Sequence, residues 1–136
     1  MKPSEYYQSL AESITEADVR RCAAIMALHI GQENLIHLDA LARRIFGKCT
    51  ASTERKTRDI LEKLTTEYRL PVCSVSGRAG RWLAANDAER LSAVRELEAR
   101  AQSVLDRAKA LRQANVPVIE PPVIPQRKPV QTSLWR

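Results

Sequence analysis

Aromatic side chains are scarce in this sequence, with two Trp, three Tyr and one Phe among 136 residues. A core must therefore be built from Leu, Ile, Val and Ala. Cysteine is sparse as well. Cys22, Cys49 and Cys73 are odd in number and match no C-x-x-C spacing, which argues against a disulfide framework and leaves reduced, half-buried thiols. His29 and His37 belong to no ligand motif, so no metal and no cofactor is expected. The four glycines form no P-loop pattern and no nucleophile–base pair stands out, so an enzyme is not expected. No apolar run approaches the length of a transmembrane span, and the start, Met1 to Glu5, lacks the apolar segment of a signal peptide. Neither membrane association nor export is expected.

What is present is globular: 44% of residues are hydrophobic and 28% charged, a balance that argues against wholesale disorder. The length suits one domain with an appendage. The net charge is +6, with a pI near 9.6. Residues 18–85 hold +5 of it, while residues 1–17 are net −2. The excess thus sits on the part that reads as a compact domain, and it admits a polyanionic partner without demanding one.

Punctuation divides the chain into four parts. Residues 1–17 form an N-terminal extension, in which Tyr7, Leu10 and Ile14 share one face of a short turn of helix. Residues 18–85 form the domain. Thr15 to Asp18 has the spacing of an acid-ended capping box, and apolar residues at three- and four-residue intervals predict a helix from there to Gly31. Leu35-Ile36 predicts a short strand. A second helix follows over Leu38 to Phe46, closed by Gly47. A third runs from about Thr53 to Tyr68, with Thr57, Ile60, Leu61, Leu64 and Tyr68 inward. Val72–Val75 and Arg81–Ala84, flanking a loop with two glycines, predict a β-hairpin. Residues 86–115 form one long helix after a cap at Asn86. Residues 116–136 hold five of the seven prolines and predict an extended, disordered tail.

The order helix, strand, helix, turn, helix, hairpin over 18–84 resembles a winged helix-turn-helix domain. The segment Arg55 to Ile60 and the hairpin Gly77-Arg78-Ala79-Gly80-Arg81-Trp82-Leu83 resemble small phage- and prophage-type members of that family. The fold class implied is α+β and mainly helical, a winged helix followed by a long helix and a Pro-rich tail. In DNA-binding members the third helix enters the major groove. Placing the stripe Thr57, Ile60, Leu61 and Leu64 inward turns Ser52, Arg55, Lys56 and Asp59 outward, with Arg58 at the flank. Arg78 and Arg81 of the hairpin would meet the minor groove, and Arg43, Arg44 and Lys48 the phosphate backbone of double-stranded DNA. A solvated helix held by Glu54–Arg58 and Asp59–Lys63 pairs is the competing reading of the same charges. Trp82 could stack on a base or fill the hairpin's core.

In the long helix, Val94, Leu97, Ala101, Val104, Ala108 and Leu111 alternate at three and four. This seam suits either a homodimer through residues 91–111 or a return onto the first helix. The chain ends Gln131-Thr132-Ser133-Leu134-Trp135-Arg136, which resembles the pentapeptide by which bacterial replication and repair proteins dock on the sliding clamp. On that resemblance Gln131 anchors one side, Ser133 takes the polar middle position, and Leu134 and Trp135 fill an apolar pocket. An exposed Leu-Trp on a Pro-rich tether is otherwise a solubility cost. Together these features imply a cytoplasmic, phage replication-associated protein that binds DNA and recruits or occupies a bacterial sliding clamp. A dimeric transcriptional regulator and an adaptor such as a helicase-loading accessory are the alternatives.

Overall fold

A computed structural model describes residues 1–75 and 79–118. The fold is α+β and mainly helical. Its elements are α1 (Pro3–Glu12), α2 (Ala17–Met26), a 3-10 turn (Gln32–Asn34), β1 (Ile36–His37), α3 (Leu38–Phe46), α4 (Ala51–Thr66), β2 (Val72–Ser74), β3 (Gly80–Leu83) and α5 (Asp87–Gln113). The sheet has the order β1-β3-β2 and is antiparallel throughout, with Ile36 opposite Arg81 and Cys73 opposite Trp82. The hairpin tip at residues 76–78 and everything from 119 onward, including Arg78 and the peptide Gln131, Ser133, Leu134 and Trp135, lie outside the described residues.

The N-terminal segment is a full helix rather than one short turn. Pro3 sits in its first turn, where a missing N–H costs nothing. Its apolar face carries Tyr7, Ala11 and, just beyond, Ile14 into the main core. The Tyr7 hydroxyl donates to the Ala84 carbonyl at 2.6 Å, so α1 is fastened to the far end of the hairpin.

The expected helix from Thr15 to Gly31 is shorter at both ends. Glu16 takes the N-cap position without a side-chain cap, and the helix ends at Met26. The cause is β3. Leu83 N–H donates to the His29 carbonyl and Gly31 N–H donates to the Leu83 carbonyl, each at 2.9 Å. Residues 29–31 are thereby drawn into a parallel bridge, Ile30 opposite Leu83. Gly31, at φ +90°, serves the turn after this bridge and does not cap the helix.

The third helix begins two residues earlier than its apolar stripe suggests. Thr50 and Thr53 form a reciprocal cap: Thr53 N–H donates to Thr50 Oγ1 at 3.2 Å and Thr50 N–H to Thr53 Oγ1 at 2.8 Å. Such a cap satisfies two otherwise orphaned donors. At the other end Arg69 adopts φ +59° and Leu70 N–H reaches back to the Leu64 carbonyl at 3.0 Å, a left-handed termination in which Glycine is the commoner residue.

Among the described residues the buried apolar side chains form two clusters. The larger joins Cys22, Met26, Leu41, Leu61, Leu64 and Leu83 from α2, α3, α4 and β3. The smaller, Cys73, Trp82 and Ala84 with Val75, takes in Ala93 of α5. Trp82 is thus a core residue of the hairpin, which removes the base-stacking reading. Burial pushes the Cys22 thiol up to about 12 and, with Glu89 nearby, the Cys73 thiol up to about 11.

Asn86 caps α5, its side chain accepting from Glu89 N–H at 2.9 Å. At ~1.5 Å per residue its 27 residues extend about 40 Å. Only its first turns lie against the body, at β2, and none of its residues is buried. The seam does not return onto the first helix. Among the described residues no helix is long and apolar enough to cross a membrane.

Candidate nucleic-acid interface

The α4 stripe of Thr53, Thr57, Leu61 and Leu64 is buried, and helical geometry then fixes what faces out. Ser52, Arg55, Lys56, Arg58 and Asp59 are all exposed. Thr57, fully buried, spends its hydroxyl on the Thr53 carbonyl at 2.7 Å, so the inward face leaves no polar group unsatisfied at this point. The first turns of α4 therefore present serine and basic groups on a rigid, capped helix.

The end of α3 lies beside them. The Lys56 ammonium stands 5.9 Å from the centre of the Phe46 ring, a contact worth about 0.5–1 kcal/mol at an exposed site. Arg43 and Arg44 are exposed in the last turn of α3, where cations also meet the negative end of the helix dipole. Arg43 reaches Asp39 at 3.6 Å. Lys48 is exposed in the turn between the helices, and its carbonyl accepts from the Thr53 hydroxyl at 3.1 Å. Cys49, next to it, donates its thiol to Glu54 at 3.3 Å, and that hydrogen bond raises its pKa.

The competing helix-surface pairs are half right. Arg58 and Glu54 do meet, at 3.8 Å. Lys63 turns instead to Glu16 of the α2 N-cap, at 2.6 Å, and to Glu67 at 3.9 Å. It ties α2 to α4, and this tertiary role, invisible in helical spacing, replaces the expected Asp59 pair.

The hairpin supplies Arg81. Strand alternation puts it on the same sheet face as Leu83 and opposite Trp82. It is half-buried, with Nη1 donating to the Gly80 carbonyl at 3.1 Å. Burial, then the charges of Arg58 and Arg100, hold its pKa below the ordinary arginine value. Arginines of α4, β3 and α5 thus stand within electrostatic reach of one another. The sequence does not single out Arg100, and no local signal links it to Arg81, since only the fold brings the two together. Exposed Arg55 and Lys56 have no ion-pair partner within 4.0 Å among the described residues.

Chemically, this surface can donate to anionic oxygens from several directions. Among the described residues no three His, Cys, Asp or Glu side chains are grouped to hold a metal ion. Comparison with protein-family models, curated proteins and solved structures gave no match.

Proposed function

We propose that this chain is a winged-helix DNA-binding protein, associated with phage replication, that recruits or occupies a bacterial sliding clamp through its QTSLW peptide. The observation that carries the DNA part is the exposed set Ser52, Arg55 and Lys56 on the capped start of α4, with Arg81 of the hairpin in electrostatic reach of Arg58 on that same helix. The element order and the β1-β3-β2 sheet are compatible with a winged helix. Ser52, Arg55 and Lys56 would read or position a major groove, Arg78 and Arg81 the neighbouring minor groove, and Arg43, Arg44 and Lys48 the phosphates. The clamp part rests on the residues Gln131, Ser133, Leu134 and Trp135 themselves. Joining two modest contacts through a tether raises the effective concentration of the second to about millimolar.

Gel-shift titration of duplex DNA at several salt concentrations tests the first part. Arg55→Ala/Lys56→Ala should weaken binding at least tenfold and lower the salt slope by about two; retention that ignores both salt and these changes refutes it. Pull-down of a bacterial sliding clamp tests the second, with Leu134→Ala/Trp135→Ala expected to abolish recovery. The Glu54–Arg58 pair favours one other reading, a protein-facing adaptor with no DNA affinity. An adaptor would keep its function when Arg55, Lys56, Arg78 and Arg81 are all replaced by alanine.

A further inference from the structure

Helix α5 carries an apolar stripe that the body leaves uncovered. Leu97 and Val104 are each 55% exposed and Leu111 is 76% exposed, yet with Val94, Ala101 and Ala108 they keep the three-four alternation that brings side chains onto one face. We propose that residues 94–111 pair antiparallel with the same residues of a second copy, so that Leu111 of each copy covers the groove beside Val94 of the other.

The side-chain sizes choose the orientation. In the antiparallel pairing Val94 lies opposite Leu111, Leu97 opposite Ala108, and Ala101 opposite Val104. Every alanine then faces a larger residue, the alternation that fills a helix–helix seam. A parallel pair sets Ala101 against Ala101 and Ala108 against Ala108, leaving gaps at two of the six seam positions. It also sets Arg107 beside Arg112 of the other copy at flanking positions, where like charges repel. The antiparallel pair carries a like cost, since the two-fold axis sets Arg100 beside Arg107 twice on one exposed flank, where salt screens them. Charge therefore does not choose the direction, and the alanine packing does.

The body supplies a seat for the end of the second helix. A groove of about 350 Å³ runs between the end of α4, β2 and α5, lined by Thr65, Leu70, Val72, Val94 and Leu97 with Arg69 and Arg90 at its edge. In the antiparallel register, Ala108 and Leu111 of the second copy lie over Leu97 and Val94, the α5 wall of this groove. The C-terminal carbonyls of that helix carry partial negative charge, and they arrive beside the two arginines. The contact is isologous, one surface meeting itself across a two-fold axis, and so closes at a dimer. It stands independently of the DNA and clamp readings, because none of its seam residues is assigned to either.

Cross-linking of the full chain tests both the pairing and its direction. In a Cys49→Ser background, with Cys22 and Cys73 buried, Leu97→Cys and Ala108→Cys are made separately, oxidised alone and oxidised as a mixture. Antiparallel pairing places position 97 about 16 Å along the axis from its own copy, at ~1.5 Å per residue, beyond disulfide reach. The expected result is a covalent dimer from the mixture and none from either variant alone. Self-cross-linking of each single variant with no mixed product overturns the proposal. Sedimentation of the uncross-linked wild type should give twice 15.3 kDa at tens of micromolar, and Leu111→Asp should raise the dimer dissociation constant at least tenfold with an unchanged circular dichroism spectrum. A wild type that stays at 15.3 kDa, or a Leu111→Asp variant that dimerises as the wild type does, also overturns it.

Discussion

Helices α4 and α5 look alike as sequences and differ completely in what surrounds them. Both carry apolar residues at three- and four-residue intervals and both open on a side-chain cap. In α4 that stripe is sealed against α2, α3 and the sheet, and Leu64 is wholly buried. In α5 no residue is buried. Periodicity therefore reports that a helix has an apolar face; it does not report what covers it. The body needs the α4 face for its own stability, whereas the α5 face is left uncovered among the described residues.

This contrast can be broken by mutation. The largest effect should come from Leu64→Ala, which opens a cavity in the main core and should cost about 2–5 kcal/mol in urea unfolding followed by circular dichroism. Leu105→Ala, on a residue 62% exposed in α5, should change the same transition by less than about 0.5 kcal/mol. Equal losses at the two sites would mean that α5 is packed as firmly as α4. A smaller effect is expected at the tie between α1 and the hairpin. Tyr7→Phe removes the hydroxyl that reaches Ala84 and should cost about 1–2 kcal/mol.

The smallest effect at neutral pH is a titration. Cys22 is held as a thiol up to about pH 12 in the folded chain, whereas an unfolded cysteine ionises near pH 8.5. The unfolded state thus loses its proton first as pH rises. The stability linked to this thiol is complete below about pH 8.5 and declines between there and pH 12. Cys22→Ala should flatten the alkaline limb of a stability–pH profile, and an unchanged limb would show that Cys22 does not set it.

Much of the body was legible because its signals are local. Gly47 closes α3 in the left-handed conformation its place predicts, Asn86 caps α5, and the α4 stripe falls inward as spaced. The discrepancies share one cause, a partner distant in sequence. Residues 29–31 leave the helix because Leu83 bonds to them. Lys63 ignores Asp59 because Glu16 is nearer. Residues 3–12 gain a full helix because the core has room for Tyr7 and Ala11. At the candidate interface the outward face of α4 was legible from its inward face. Arg100 was not, since only the packing of α5 on β2 brings it towards Arg81.

The bond from Tyr7 to Ala84 spans 77 positions of sequence, and it orders events in time. Helix α1 is the earliest part of the domain to be synthesised, yet its anchor exists only when β3 has been made and paired. Ala84 itself is fixed by its N–H bond to the Pro71 carbonyl at 3.1 Å. Contacts of such separation form slowly, because the intervening loop must close first. During synthesis, α1 can lay its apolar face on α2 as soon as that helix follows it, but the Tyr7 bond that fixes its position waits for the hairpin to close.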